Sequence, residues 1–357
     1  KNRAVSELIT SFFGNFSYDA MQKGLSLLKG REGEKVLGFL SHMDTSPEAS
    51  GRDIKANIIK NYDGQDILLN KEQNIVMSVK DFPELLLSKG KTIITTDGTT
   101  LLGADDKAGI AEIMTMISIL CSKDAPSHGP IAICFTPDEE IGAGVDNIDL
   151  NKFGADIAYT VDGGRLGELE YENFNAAYAR IDIKGRSVHP GDAKDKMINA
   201  IRVAEEFDSL IPDNQRPETT KDYEGFFHLE SFSGQVENSA IEYIVRDHDT
   251  DKFNSKKAFL IELTDKLNKK YGEGTVNLTL KDQYYNMATV INPDHMELIT
   301  NVEEKMKSLG ITPLIKPIRG GTDGAMLTYK GLPCPNIFAG GMNMHGRYEY
   351  VPIQSME

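Results

Sequence analysis

The stretch that most constrains this chain is Phe135-Thr136-Pro137-Asp138-Glu139-Glu140-Ile141-Gly142. It closes the apolar run 131–135 and places three consecutive acids after a proline. A short apolar run that stops at a Pro turn predicts a buried strand ending at the edge of a sheet. Neighbouring side chains of an extended segment point in opposite directions, so we expect one glutamate to bind a cation and the other to handle a proton. Because an isolated Asp-Glu-Glu turn is more often only solvated, the interpretation depends on the rest of the chain.

Other predicted strands end in the same way. The apolar run 36–40 leads to His42 and Asp44, the run 157–161 leads to Asp162, and the run 336–339 passes through two glycines towards His345. Asp105 and Asp106 precede apolar residues at helical spacing, which predicts that they open a helix, and the flanking glycines indicate close backbone packing there. Each motif alone is weak, since an HxD pair or an acidic first turn is usually structural.

Together these residues predict a metal centre. In open α/β sheets, ligands bind in the crevice outside the carboxyl ends of the strands. Two imidazoles and three carboxylates without sulfur suit zinc. Five ligands are too many for one catalytic zinc with an open position, and they suit two ions ~3.5–4 Å apart that share a bridging carboxylate. The five candidates are His42, Asp105, Glu140, Asp162 and His345.

Composition excludes several classes of protein. A length of 357 residues suits about two domains of ~150 residues each. The net charge of −15 argues against a nucleic-acid partner, which would require clustered Lys and Arg. No apolar run approaches the ~20 residues of a membrane span, so no membrane association is expected. The three widely spaced cysteines suit a reducing compartment, so we expect a cytoplasmic protein.

A second domain is predicted within the first. Residues 174–283 show the order β-α-β-β-α-β, which is that of a ferredoxin-like unit. Residues 1–173 and 284–357 would then form the catalytic domain, and Asn292-Pro293 is expected to cap the helix that returns to it. Residues 46–95 are polar and are expected to form an elaborated surface excursion, with a short strand over residues 92–96. Residues 5–13 are compatible with a helix.

Several phrases of the sequence resemble one enzyme family. His42-Met-Asp44-Thr, Gly103-Ala-Asp105-Asp-Lys-Ala-Gly, Thr136-Pro-Asp-Glu139-Glu140-Ile-Gly and Val161-Asp162-Gly-Gly are similar to motifs of the dinuclear-zinc exopeptidases, which include carboxypeptidases and aminoacylases. Gly167-Glu-Leu-Glu-Tyr-Glu-Asn-Phe-Asn-Ala, Val188-His189-Pro-Gly, Ile318-Arg319-Gly-Gly-Thr-Asp-Gly and His345-Gly-Arg-Tyr-Glu-Tyr resemble its tripeptide aminopeptidase subgroup. The resemblance covers roughly residues 36–357. Residues 1–35 depart from it, and the family usually continues with a helix beyond Glu357, which puts the completeness of both ends in question.

The resemblance implies a fold and a set of roles. The fold would be a zinc-exopeptidase-like α/β domain, a mixed sheet flanked by helices, with an inserted ferredoxin-like α+β lid. Asp105 would bridge two Zn²⁺, with His42 and Asp162 completing one shell and Glu140 and His345 the other. Asp44 would orient His42, and the Asp105–Asp106 peptide would be cis. The resemblance also allows a homodimer through the inserted domain.

The resemblance further implies a mechanism for releasing the N-terminal residue of tripeptides. Glu139 would be the general base that takes a proton from a metal-activated water and gives it to the leaving amine. His189 would contribute to carbonyl or oxyanion binding, and Arg246 and Arg319 would bind the substrate carboxylate. A carboxylate clamp at a fixed distance from the metals would measure peptide length.

Three alternatives stay open at this point. A dipeptidase or an N-acyl amino-acid deacylase would use the same dinuclear site. A metal-dependent binding protein without catalysis would keep the ligands, and an acidic structural domain would bind no stoichiometric metal. From the residues alone, a histidine before proline is more often a turn residue, and most arginines are surface residues.

Overall fold

The computed structural model of the chain describes residues 26–357, and the helix expected over residues 5–13 lies outside this range. The strands of the described part are β1 (Ser26–Leu28), β2 (Leu37–His42), β3 (Asn57–Ile59), β4 (Ile67–Asn70), β5 (Ile75–Met77), β6 (Ile93–Thr95), β7 (Ile131–Thr136), β8 (Ile157–Gly163), β9 (Glu168–Glu170), β10 (Asn175–Lys184), β11 (Phe226–Gly234), β12 (Asn238–Asp247), β13 (Val276–Tyr284), β14 (Leu314–Ile315), β15 (Asn336–Phe338) and β16 (Val351–Pro352). The α-helices there are α1 (Ala104–Leu120), α2 (Leu150–Phe153), α3 (Ala200–Ser209), α4 (Thr250–Tyr271), α5 (Ala288–Asp294), α6 (Met296–Ser308) and α7 (Asp323–Tyr329).

The chain divides into two compact units. The first comprises the described residues through Tyr171 together with Val290–Lys316 and Thr322–Glu357. The second comprises Glu172–Thr289 and Pro317–Gly321. Within residues 26–357, none of the helices combines the length and the apolar character needed to cross a bilayer.

A mixed sheet organises the first unit. Its order is β1-β7-β2-β8-β15-β9-β14, in which β7, β2, β8 and β15 run parallel to one another. Both faces are covered, which explains why these strands are continuous apolar runs rather than alternating ones. Along β7, Ile131 and Ile133 pack in the cluster that contains α1, whereas Ala132 and Cys134 pack in the cluster that contains α2 and α7. The carboxyl ends of the parallel strands therefore all lie at one edge of the sheet.

The excursion between β2 and α1 contains several short strands, including the strand expected over residues 92–96. Residues 46–95 contain β3 to β6, and a third cluster buries Ile67, Leu69, Ile75 and Met77 against Tyr350. The excursion is therefore elaborated, as predicted, and it also has a small core of its own. The apolar side chains at alternate positions of β4 and β5 form a small core with the segment that leads into β16.

The second unit is an antiparallel sheet covered by two helices. Its strand order is β11-β12-β10-β13, and along the chain the elements follow the predicted ferredoxin-like sequence β-α-β-β-α-β. Asn199 caps the start of α3 by accepting a hydrogen bond from Ile201 N, and Asp249 caps α4 by accepting one from Lys252 N. These helices pack on the inward residues of the sheet around fully buried Tyr243, Phe207 and Leu260.

The helical segment after the second unit differs from the prediction at its start. Pro293 lies inside α5 rather than at the first position of a helix capped by Asn292. The next helix, α6, has His295 at its N-cap position, with no capping hydrogen bond from its side chain. The Asn-Pro pair predicted a helix in the correct region but placed its beginning wrongly.

Candidate metal centre

The five candidate ligands lie together at the carboxyl edge of the large sheet. His42 is the last residue of β2 and Asp162 lies near the end of β8. Asp105 is in the first turn of α1, Glu140 is in the short turn after β7, and His345 is in the loop after β15. The neighbouring positions of the parallel strands in the sheet bring these sequence-distant residues to one place.

The side chains form two groups that share Asp105. Asp105 Oδ1 is 2.9 Å from His42 Nε2, and Asp105 Oδ2 is 3.2 Å from His345 Nε2. Asp162 Oδ1 completes the first group at 3.5 Å from His42 Nε2. Glu140 Oε2 completes the second at 3.1 Å from His345 Nε2. Each group therefore offers one imidazole nitrogen and oxygens from two carboxylates.

The chemistry of these donors fits a pair of divalent cations. Ligand atoms of His42, Asp105 and Glu140 all lie within 4.8 Å of one another. Glu140 Oε1 is buried and has no hydrogen-bond partner, which is unfavourable for a carboxylate oxygen unless a cation binds it. Hydrogen bonds to Asp105 and Glu140 raise the pKa of His345 to about 10. A cation at this position would replace that proton.

Neighbouring carboxylates also raise the pKa of His42. Burial by itself lowers the pKa of His42, but the carboxylates of Asp162 and Asp105 more than compensate, and the pKa is raised. Burial raises the pKa of Asp162 to about 6, although His42 opposes the shift. The site therefore concentrates negative charge, which favours cation binding.

Asp44 contacts both His42 and the turn of the two glutamates. Asp44 Oδ1 lies 3.3 Å from His42 Nδ1. Its two oxygens also accept hydrogen bonds from the backbone N–H groups of Glu139 and Glu140, at 3.2 and 3.1 Å. One carboxylate thus accepts hydrogen bonds from the turn that carries the acids and lies at ion-pair distance from the imidazole of His42.

The turn after β7 is not extended, so the predicted alternation of Glu139 and Glu140 is wrong. Asp138 has a left-handed backbone with φ of 59°, and residues Glu139–Ile141 form one turn of 3₁₀ helix. The two glutamates nevertheless differ in environment. Glu140 faces His345, whereas burial and the negative charge of Asp162 raise the pKa of Glu139 well above its usual range. A raised pKa suits a carboxylate that must hold a proton during a reaction.

The backbone at Asp105–Asp106 agrees with the prediction. The peptide bond between them is cis, as the family resemblance implied. Ser41 Oγ donates to the carboxylate of Asp106 and, at 2.8 Å, to its backbone carbonyl. A Cβ at Gly109 would lie only 2.0 Å from Val161 O, so glycine is required where α1 crosses β8.

Two further buried acids, Glu349 and Asp323, lie near the centre and were not predicted as site residues from the sequence. Glu349 accepts hydrogen bonds from three backbone N–H groups around Gly103, and Asp323 Oδ2 accepts one from Thr136 Oγ1 at 2.7 Å. Burial raises the pKa of Asp323 to about 7. Both acids belong to phrases that carry the family resemblance, so the sequence contained a signal for their positions but not for their contacts.

The three candidate substrate-binding residues lie in the second unit. His189 is exposed and its Nδ1 accepts a hydrogen bond from Gly191 N at 3.2 Å. Arg246, near the end of β12, donates from Nη1 to the backbone oxygen of Arg319 at 3.0 Å. Its Nε is buried and has no hydrogen-bond partner. The guanidinium of Arg246 therefore retains a buried donor for a ligand.

Arg319 is more heavily engaged than the sequence suggested. Its Nη1 donates to the backbone oxygens of Asp222 and Glu224, at 2.6 and 3.1 Å. Its guanidinium also lies over the ring of Phe174, with the carbon 5.2 Å from the ring centroid. The two hydrogen bonds hold the loop before β11, so part of the guanidinium fork of Arg319 is already used within the protein.

Comparison with known proteins identifies the family. A family profile described as "Peptidase dimerisation domain" matches residues 171–275. Peptidase T of Caldanaerobacter subterraneus subsp. tengcongensis is 56% identical over 334 residues, which cover 93% of this chain and 81% of that protein.

Solved structures share the fold. Aminopeptidase PepT from Bacillus cereus aligns with a TM-score of 0.73 at 24% identity, over 99% of this chain and 88% of that chain. A tripeptidase from Staphylococcus aureus aligns with a TM-score of 0.74 at 20% identity, over the same shares of the two chains. The identity of more than half of the aligned positions to a curated relative, over nearly the whole chain, shows that the chain belongs to the peptidase T family of hydrolases.

Proposed function

We propose that the chain is a tripeptide aminopeptidase that uses two Zn²⁺ ions. The observation that carries this proposal is the pair of histidine–carboxylate groups that share the two oxygens of Asp105. Such an arrangement suits a bridging ligand between two cations. The names of the relatives, Peptidase T and tripeptidase, support the reaction and the length of the substrate.

The proposed roles divide the site between binding and proton transfer. His42, Asp105 and Asp162 would hold one cation, and His345, Asp105 and Glu140 would hold the other. Bound cations would acidify a water molecule and polarise the peptide carbonyl. Glu139 accepts the proton of the attacking water and donates it to the leaving amine. Asp44 keeps His42 and the turn of Glu139 in position, through the contacts described above.

Substrate recognition is assigned to the second unit. Arg246, with its unpartnered buried Nε, binds the substrate carboxylate, and Arg319 supports it through its adjacent backbone oxygen and its own remaining donors. His189, exposed after β10, contributes to binding of the carbonyl or the oxyanion. A clamp of this kind, which recognises the free carboxylate end of the substrate, would let the enzyme discriminate peptides by length and favour tripeptides.

Domain roles and location are also proposals. Residues 174–283 would form a lid that takes part in a homodimer, which the matched dimerisation profile supports. Residues 1–173 and 284–357 would form the catalytic domain. Cys121, Cys134 and Cys334 are all free thiols, which supports a reducing, cytoplasmic location.

A peptide panel tests the proposed function. The protein is freed of metal with a chelator and assayed after addition of Zn²⁺ with di-, tri- and tetrapeptides of one composition, and with an N-acetylated tripeptide. We expect restored hydrolysis with the highest kcat/KM for the free-amine tripeptide. Preference for the dipeptide would indicate a dipeptidase, preference for the acetylated peptide would indicate a deacylase, and no hydrolysis of any peptide would overturn the proposal.

The carboxylate clamp has its own test. Arg246→Lys keeps the charge but loses the planar fork, so kcat/KM for tripeptides should fall at least about tenfold, while a C-terminally amidated tripeptide should lose little. Arg202→Lys, on the exposed face of α3, serves as the control. Equal losses for the free and the amidated peptide would contradict the assignment of Arg246.

A further inference from the structure

Glu349 lies beside the candidate metal ligand Asp105, and its carboxylate contacts backbone N–H groups. Its side chain is almost completely buried, with 2% of its surface exposed. Oε2 accepts hydrogen bonds from Leu102 N at 2.8 Å and Gly103 N at 2.6 Å, and Oε1 accepts one from Asp105 N at 2.9 Å. One carboxylate therefore receives three backbone N–H groups at the start of α1. Hydrogen bonds to a charged acceptor are among the stronger ones in proteins.

The backbone at this point needs such a partner. Gly103 has a left-handed conformation with φ of 72°, and Asp105 and Asp106 have non-helical backbone angles although they lie within α1. The first turn of this helix is therefore irregular, and regular helical hydrogen bonding does not fix it. The direction of the Asp105 side chain depends on this backbone, because its carboxylate must present one oxygen to His42 and the other to His345.

Glu349 belongs to the same closed loop as His345. Met342 and Tyr350 exchange two backbone hydrogen bonds, Met342 N to Tyr350 O at 2.9 Å and Tyr350 N to Met342 O at 3.0 Å. The loop between Met342 and Tyr350 contains both His345, which contacts the side chain of Asp105, and Glu349, which contacts the backbone of Asp105. Tyr350 is fully buried and the following strand pairs with β6, so the loop is anchored at its base.

We propose that Glu349 is a positioning residue that sets the bridging geometry of Asp105 and couples it to the loop of His345. The proposal rests on the proposed function, since it assumes that Asp105 bridges two cations. Asp105 would then be fixed from both ends by one loop. Loss of the Glu349 contacts would disturb both cation sites, because both share Asp105.

The test compares Glu349→Gln with Glu304→Gln, which makes the same chemical change at an exposed position of α6. The amide of Gln keeps one acceptor oxygen but turns a donor towards one set of N–H groups. We expect the affinity for Zn²⁺ at both sites, measured by calorimetric titration of the metal-free protein, to fall about 10- to 100-fold. With Zn²⁺ saturating, kcat for a tripeptide should fall more than KM rises.

A purely structural role would give a different result. In that case Glu349→Gln would lower the melting temperature but would leave Zn²⁺ affinity and kcat per folded molecule unchanged, which would overturn the proposal. Hydrogen exchange of the unmodified protein gives a second test if the variant does not fold. The amides of Leu102, Gly103 and Asp105 should be protected, and rapid exchange at all three would also overturn the proposal.

The outcome is separable from that of the proposed function. If the unmodified protein fails to bind two Zn²⁺ or to cleave tripeptides, the proposed function fails, whatever the variant does. If the unmodified protein behaves as proposed and Glu349→Gln matches it, only the positioning role fails.

Discussion

Replacing Glu139 with Gln removes the proposed proton carrier while disturbing little else. The backbone N–H of Glu139, rather than its side chain, makes the contact with Asp44, so the turn should persist. General acid–base catalysis contributes about 10²–10⁴-fold to rates, which corresponds to about 2.7–5.4 kcal/mol at about 1.36 kcal/mol per decade. We therefore expect kcat to fall by about 10²–10⁴-fold, with KM changed only about two- to threefold.

The same substitution that lowers kcat should not lower the stability of the metal-free protein. Burial and Asp162 raise the pKa of Glu139, so the folded protein favours the neutral side chain and an ionised carboxylate destabilises it. Gln is neutral and of similar shape. In the metal-free protein, the melting temperature of Glu139→Gln should be equal to or above that of the unmodified chain.

The assay combines steady-state kinetics on a tripeptide with calorimetric titration of Zn²⁺. Glu140→Gln is the matched control, because it makes the same change at the next residue and should instead weaken one cation site, through loss of the oxygen that faces His345. Near-normal turnover in Glu139→Gln, or loss of a cation site in that variant, would refute the assignment of Glu139 as the general base.

Three further predictions concern the shared ligand, a buried acid and the core of the second unit. Asp105→Asn should weaken both Zn²⁺ sites in a calorimetric titration, whereas Asp162→Asn should weaken one, and equal effects of the two changes would contradict the bridging role. Burial and the neighbouring Glu168 raise the pKa of Glu170 from 4.5 to about 8, so the folded protein keeps a proton that the unfolded chain releases, and stability from this group falls as pH rises through that interval. The melting temperature of Glu170→Gln minus that of the unmodified chain should therefore be larger at pH 8.5 than at pH 5. A difference that is the same at both pH values would contradict this. Leu260→Ala, at a fully buried position, should destabilise the protein by about 2–5 kcal/mol in urea unfolding without changing Zn²⁺ affinity, and a loss below about 1 kcal/mol would contradict the packing described.

Much of the site was predictable because it depends on strand ends. His42, Glu140, Asp162 and His345 each follow or end an apolar run, and parallel strands that are neighbours in a sheet bring their carboxyl ends together. The ferredoxin-like order of the second unit was also predictable, since its strands alternate clearly and its helices are long enough to show their period. The cis peptide between Asp105 and Asp106 was predicted from the family resemblance alone.

Other features have no local signal in the sequence. The turn of Glu139 and Glu140 is too short to show a period, and the left-handed Asp138 that starts it is not visible in the pattern. The contacts of Glu349 join residues separated by 244 to 247 positions, and its partners are backbone groups that are present at almost every residue. Strands β4 and β5 have only four and three residues, too few for the alternation to be recognised.

The most direct test of the central claim is a crystal structure of the Zn²⁺-loaded protein with anomalous scattering measured at the zinc edge. We predict two anomalous peaks ~3.5–4 Å apart, one beside His42 and Asp162 and one beside His345 and Glu140, with Asp105 contacting both. A single peak, or peaks away from these five side chains, would contradict the dinuclear site.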